Sequence, residues 1–334
     1  LPRYVPRPET CGINLRFQLG NKFDLETCTG FLYKIVWIRY RYQGVMSSSS
    51  RVPRFFGPKG SGERLFCCHR AGEGHVRVCL LASGSKGNSL FIEAGDTRLL
   101  VDAGLSAREL TARLASVGAA AADLHGIIIT HEHVDHIRGA GALARKNGTP
   151  VLISYPTSRQ MAEHFRATRL IEFESGCSFE FRDFIVDPFP ITHDTTDPVG
   201  VVLESPEGRI GCATDLGIAT RLVRDKLKGC RALVLESNHD EEMLANGPYP
   251  WHLKQRIRSR HGHLSNRESA ELLAEVLHPG LEALFLAHLS EVNNQPDTAR
   301  EVFAGSLGEQ AVCMPKLMIG AQHCVSDVFE ACKG

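Results

Sequence analysis

With 334 residues, 43% hydrophobic and 23% charged, the chain has the composition of a soluble globular protein with a sizeable core. Its formal net charge of zero divides unevenly: residues 1–75 carry 12 Lys and Arg against 5 Asp and Glu (+7), and the remainder 26 against 33 (−7), which excludes a broadly basic nucleic-acid-binding surface on the larger part. No apolar run reaches the ~20 residues of a membrane span, the nearest, FLYKIVWIRY, being broken by Lys34 and Arg39, and no signal-peptide core opens the chain.

Pro, Arg, Ser and Gly punctuate residues 1–75, as in LPRYVPRPET and SSSSRVPRFFGPKGSGER, with no sustained hydrophobic period. They read as a disordered or non-native N-terminal extension, with a small basic accessory module as the alternative, and residues 76–334 as the folded domain. The eleven cysteines are odd in number and form no CxxC pair, and Cys79, Cys212 and Cys230 sit in apolar, strand-like contexts. A reduced, cytoplasmic protein is expected.

From residue 76 the elements follow in order. VRVCLLAS, SLFIEA and TRLLVDA read as three strands joined by Gly-containing turns. SARELTARLASVG is a helix with a Ser cap and a Gly stop. LHGIIIT is a buried strand, IRGAGALARKNG a helix and TPVLIS a strand, and strands continue through residues 169–214. GIATRLVRDKLKG precedes the buried strand CRALVLES. Helices are expected at PWHLKQRIRSRHG and SNRESAELLAEVLH, then the strand LEALFLAHL, a helix near 296–305 and two short strands. Strands in runs, then alternating with helices, imply an α/β fold: two packed sheets with helices outside, a four-layer αββα sandwich.

The densest chemistry lies in IIITHEHVDHIRG, where His131, His133, Asp135 and His136 fall within six residues directly after a strand. His131 and His133, two apart in extended chain, project to the same side. A strand end feeding a helix start is where α/β folds place their sites. Imidazole and carboxylate suit Zn²⁺, Mn²⁺ or Fe²⁺. Two weaker features concern substrate. LASGSKGNSLFIE offers Ser83, Ser85 and Asn88 in a turn with free N–H groups that can accept phosphate oxygens, or is simply a turn. WHLKQRIRSRHGH carries Lys254, Arg256, Arg258 and Arg260, a local cationic path or an ordinary solvated helix face.

The HxHxDH signature resembles that of the metallo-β-lactamase superfamily. Further motifs of that superfamily have counterparts in order: RLLVDAG with Asp102, FPITHDTTDPVGVVLES with His193, GCATDLG with Asp215, and LFLAHLS with His288. The resemblance implies two divalent metal ions, zinc or manganese. His131, His133 and His193 would hold one, and Asp135, His136 and His288 the other. Asp215 and a hydroxide would bridge them, and Asp102 would support the metal loop. Two such ions about 3.5–4 Å apart lower the pKa of a shared water and bind attacking and leaving oxygens. LVLESNHD and GHLSN resemble segments that supply a Glu–His pair in the ribonuclease Z branch, here Glu236 and His263. His263 would contact phosphate or protonate the leaving group, or else merely stand before the helix that Ser265 caps.

Taken together, ASGSKGNS, THEHVDHIRG, HDTTDPVGVVLES, ATDLG, LVLESNHDEEML, GHLSN and LAHLSEVNN resemble the YycJ/WalJ group, regarded as cytoplasmic metal-dependent DNA exonucleases, over residues 76–334. The resemblance implies a dinuclear phosphodiester hydrolase acting on nucleic acid, DNA favoured, from a 5′ end, with Asp135, Glu236 and His263 in the catalytic set and no membrane partner. The alternatives are an RNA-processing nuclease of ribonuclease Z type, a thioester or lactone hydrolase, and a non-catalytic metal-binding regulatory module. A thioester or lactone substrate leaves the Glu236–His263 pair and the basic segment without a task. A regulatory module would be expected to have lost a ligand, and none is missing.

Overall fold

In the computed structural model, residues 75–332 are described. The extension expected over residues 1–75 therefore lies outside the described residues, apart from His75 at the start of the first strand. The three opening apolar runs form β1 (His75–Ala82), β2 (Ser89–Ala94) and β3 (Thr97–Val101), paired antiparallel. β4 (Gly126–Ile128), β5 (Val151–Ser154) and β6 (Leu170–Phe173) add in parallel beyond β3. Parallel neighbours need crossovers, supplied by α1 (Ala107–Ser116), then α2 (Val134–Ile137) with α3 (Ala140–Asn147), then α4 (Tyr155–Gln160).

The second sheet repeats this plan. β7 (Phe179–Phe181), β8 (Phe184–Pro190), β9 (Val199–Ser205) and β10 (Gly208–Ala213) run antiparallel. β11 (Ala232–Glu236), β12 (Ala283–Ala287) and β13 (Lys316–Ile319) follow in parallel. Their connections carry α5 (Arg221–Leu227), α6 (Glu241–Asn246), α7 (Trp251–Ile257), α8 (Asn266–Val276) and α9 (Pro296–Gly308). β14 (Phe329–Cys332) returns to pair with β1 in the first sheet.

Three apolar layers result. Val78, Ile92, Leu99 and Val101 of the first sheet meet Val186, Val201, Val234 and Phe285 of the second. Leu100 and Phe91 point the other way, onto Leu110, Leu114 and Leu143 of α1 and α3. Leu233, Leu284 and Leu286 likewise face Val223, Leu272 and Phe303 of α5, α8 and α9. Alternate residues of one strand thus feed different layers, so both faces of each sheet are buried and its central strands read as continuous apolar runs. The four-layer sandwich expected from the sequence is the fold observed. Capping boxes start α1 (Ser106 with Glu109) and α8 (Ser265 with Glu268). Among the described residues no helix is long and apolar enough to cross a membrane.

The basic segment departs from expectation. Its helix ends at Ile257 with Arg258 as cap, so Arg260 lies beyond it. The short helices α4 and α6 were not expected, each being too brief to display a 3.6-residue period.

Candidate metal centre

Strand register explains why distant residues meet. Val101 pairs with Ile128, so Asp102 follows β3 beside the loop that carries Thr130 and His131. Ala213 pairs with Leu235 and Glu236 with Ala287, so Asp215, Glu236 and His288 gather at the aligned C-terminal ends of β10, β11 and β12. The strand ends of both sheets thus converge on one cleft, lined by Ser85, His133, Asp135, His193, Asp215, His263 and His288 among others. Three residues at these strand ends hold left-handed backbone: Asp102 (φ 62°), Asp215 (φ 57°) and His288 (φ 58°). Such angles are uncommon for residues with a β-carbon, cost of order 1–3 kcal/mol each and cluster at functional sites. The approach of the β3–α1 loop demands glycine: a β-carbon on Gly104 would lie 1.6 Å from the carbonyl oxygen of Asp135.

His133 Nδ1 lies 3.2 Å from His131 Nε2 and 3.3 Å from His193 Nε2. Asp135 Oδ2 lies 3.5 Å from His136 Nε2 and 3.9 Å from His288 Nε2. Asp215 stands between the two sets, with Oδ2 3.1 Å from His136 Nε2 and Oδ1 3.7 Å from His193 Nε2. Two ligands about 2.1 Å from one ion at a tetrahedral angle are about 3.4 Å apart, which is the spacing seen here. Asp215 Oδ2 is buried yet makes no hydrogen bond, despite its closeness to His136. A buried carboxylate oxygen without a donor is costly, and atoms that approach without hydrogen-bond geometry fit two ligands aimed at a shared cation. The donor set therefore fits divalent metal.

Hydrogen bonds select the nitrogens that face the cleft. Asp102 Oδ2 accepts from His136 Nδ1 (2.8 Å) and from the Thr130 hydroxyl (2.8 Å), while Oδ1 accepts from Thr130 N–H (2.9 Å). With its proton given to Asp102, Thr130 Oγ1 accepts from His131 Nδ1 at 3.0 Å. Both rings then turn Nε2 into the cleft, as a buried carboxylate behind a metal-binding histidine does. Glu236, fully buried, accepts from His263 Nδ1 (2.8 Å) and His288 Nδ1 (2.9 Å) at Oε1, and from the backbone N–H of Leu216 (2.7 Å) and Leu264 (3.2 Å) at Oε2. The expected Glu236–His263 pair is present, and Glu236 also holds His288, which sequence reading missed.

The electrostatics agree. Burial, with the neighbouring His136, holds His131 well below the ordinary imidazole range, so it presents a lone pair. Burial would raise Glu236, but His263 and His288 outweigh it and bring the carboxyl down to about 2. Burial would lower His288, but Asp215 and Glu236 outweigh it and raise the imidazole to about 9. A field that favours an added proton favours a divalent cation in the same place.

The substrate-contact expectations are partly revised. Ser85 is exposed and lines the cleft. Ser83 is buried, and its hydroxyl accepts from His288 N–H at 2.6 Å, so it positions His288 and is withdrawn from any phosphate. Asn88 is also buried: its Oδ1 accepts from Gly84 N–H, and its amide faces Asp135 Oδ2 at 3.2 Å and His136 Nε2 at 3.1 Å. Arg256 lines the cleft and is ion-paired with Asp194, an acid that sequence reading did not single out. Lys254 does not line the cleft: its ammonium donates to the Ala245 carbonyl and it faces a different groove. Arg260 is exposed and contributes no side chain to the cleft wall. Alternation at every second residue is a strand pattern, and at 100° per residue it scatters round a helix. Tyr249, also on the wall, carried no sequence signal, and Asn238 and Ser290 stood there only as members of LVLESNHD and LAHLSEVNN.

Residues 97–288 match the family described as Beta-lactamase superfamily domain. The chain is similar to exodeoxyribonuclease YycJ of Bacillus anthracis, 38% identical over 229 residues, which are 67% of this chain and 86% of that protein. It is similar to exodeoxyribonuclease WalJ of Streptococcus pneumoniae, 36% identical over 239 residues, 70% of this chain and 88% of that protein. The crystal structure of the metallo-beta-lactamase fold protein YhfI from Bacillus subtilis shares the fold, with a TM-score of 0.61 at 18% identity over 78% of this chain and 100% of that one.

Proposed function

The chain belongs to the β-lactamase superfamily, and on that premise we propose that it is a metal-dependent exodeoxyribonuclease, hydrolysing DNA phosphodiesters stepwise from a 5′ end. Relatives of that name at 36–38% identity support the substrate class. The observation that carries the chemistry is the sharing of one oxygen, Glu236 Oε1, between His288 in the ligand cluster and His263 on the cleft wall.

In this reading His131, His133 and His193 would hold one divalent ion, zinc or manganese, and Asp135, His136 and His288 would hold a second, with the Asp215 carboxylate standing between the two sets. Such ions, when bound, supply Lewis-acid activation of water and of the phosphate. The chain's own groups do the rest. Asp102 and Glu236 fix imidazole tautomers so that Nε2 of His131, His136 and His288 faces inward. Ser85 and Arg256 border the space for the phosphodiester. Glu236 accepts from His263 Nδ1 and so fixes the ring, leaving the other ring nitrogen as the atom that gives a proton to the departing 3′-alkoxide. Buried free thiols at Cys79, Cys212 and Cys230 fit a reducing, cytoplasmic setting.

The test is digestion of DNA and RNA labelled at either end, single- and double-stranded, with Mn²⁺ or Zn²⁺ added to EDTA-treated protein. Release of the label as a mononucleotide from the 5′ end of DNA first, and only with metal, is expected. Cleavage confined to RNA, or faster turnover of a thioester or lactone than of any nucleic acid, would replace this reading.

A further inference from the structure

The face of α7 turned away from the metal cleft has the makings of a second site. At 100° per residue, Trp251, Lys254, Gln255 and Arg258 share an arc about 100° wide, while Leu253, Arg256 and Ile257 share the opposite one. The structure follows this division. Leu253, Arg256 and Ile257 line the metal cleft, and Trp251, Lys254, Gln255 and Arg258 line a separate groove. Trp251 is 68% exposed, which is unusual for an indole. Among the described residues no carboxylate pairs with Lys254 or Arg258, whereas Arg256 across the helix is paired with Asp194. These cations without a carboxylate partner stand out because residues 76–334 carry 26 Lys and Arg against 33 Asp and Glu.

We infer that this groove binds single-stranded DNA just outside the metal cleft, with a base stacked on Trp251 and adjacent phosphates against Lys254 and Arg258. An exposed aromatic flanked by cations at helical spacing combines the two elements of sequence-independent single-strand binding, a stacking platform and backbone charge. The polyanion also matches the sign of the groove in a domain that otherwise repels it. The helix separates groove from cleft by roughly 10 Å, or about three nucleotides at the 3.4 Å spacing of stacked DNA. A dinucleotide would therefore fill the cleft without reaching Trp251, and a longer strand would reach it. The inference rests on the nuclease reading and gives that reading a means of holding its substrate between successive cuts.

The experiment compares the single-stranded oligonucleotides dT2 and dT10, with Mn²⁺ present, on the full chain. Trp251→Ala should raise KM for dT10 roughly 5- to 100-fold, the worth of one stacked base, with kcat unchanged. Neither dT2 nor bis(p-nitrophenyl) phosphate should respond, and Trp251→Tyr should restore most of the dT10 affinity. Lys254→Gln with Arg258→Gln should flatten the slope of log KM against log salt by about 1.4, two single-strand phosphate contacts. The chain has two tryptophans, so Trp37→Phe makes Trp251 the sole indole reporter. Quenching of its fluorescence by dT10, with no hydrolysis by any variant, would uphold the groove and remove the nuclease reading. Hydrolysis of dT10 with neither quenching nor any change in KM would keep the nuclease and overturn the groove, leaving that face to a protein partner.

Discussion

Asp102 and Glu236 both stand at the C-terminal end of a strand with a parallel neighbour, Asp102 just after β3 beside β4 and Glu236 at the end of β11 beside β12, and both are buried behind histidines. They are used differently. Asp102 orients His136 directly and His131 through Thr130, both of them in the ligand cluster. Glu236 holds one cluster member, His288, and one imidazole that faces the open cleft, His263. One sheet therefore supplies a support for metal alone. The other ties the ligand cluster to His263, the imidazole proposed as proton donor.

Asp215→Asn addresses the centre of this division and carries the largest expected effect. An amide cannot bind cations on both sides with equal charge, so metal content should fall below one equivalent and DNA turnover to background. Two full equivalents by mass spectrometry would show that the two arms do not meet at Asp215. Next comes His263→Ala, which removes only the outer member of the Glu236 arm. DNA cleavage should slow by roughly 10²–10⁴, the usual worth of a general acid, with metal content intact. The activated p-nitrophenyl diester should suffer far less, because p-nitrophenolate departs without a proton. Equal losses on both substrates would reduce His263 to phosphate binding, and loss of a metal equivalent would make the two arms alike.

Asp102→Asn and Glu236→Gln probe the carboxylates themselves, each expected to weaken metal binding about 10- to 100-fold. In Asp102→Asn an amide facing His136 Nδ1 would favour the tautomer with its proton on Nε2, the wrong side for a ligand. Excess Mn²⁺ should restore most of its activity. In Glu236→Gln either rotamer sets an NH₂ against N–H donors, because all four acceptor positions are taken. Metal binding should recover with excess Mn²⁺ while DNA cleavage stays slow. The smallest effect is on acid stability. Glu236 is held at about 2 against 4.5 for a free carboxyl. Its contribution is complete above pH 4.5 and is lost as pH falls towards 2. Urea midpoints measured in EDTA should therefore converge for wild type and Glu236→Gln as pH falls from about 4.5 towards 2. A constant gap would mean that Glu236 contributes through packing alone.

The metal-binding candidates were legible because the strand ends leave their mark in sequence: an apolar run followed at once by His131, Asp215 or His288. The layers were legible because the parallel strands β4, β5, β11 and β12 are apolar along nearly their whole length. What sequence could not reveal was direction. A Gly/Ser turn does not say that Ser83 and Asn88 point inward, towards His288 and His136. A row of cations does not say which face of α7 each takes. The second duty of Glu236 depends on His288, 52 residues away, and appears only once β11 and β12 are placed in register.

The left-handed backbone at Asp102, Asp215 and His288 bears on how long the protein survives in a cell. Each of these residues would relax if its surroundings loosened, and all three are held at strand ends that converge on the same cluster. Ions that bind only the folded chain stabilise it by about 2.7 kcal/mol at a concentration one hundred times Kd. Without bound metal that increment is absent, so limited proteolysis should be faster in EDTA than with Mn²⁺ restored.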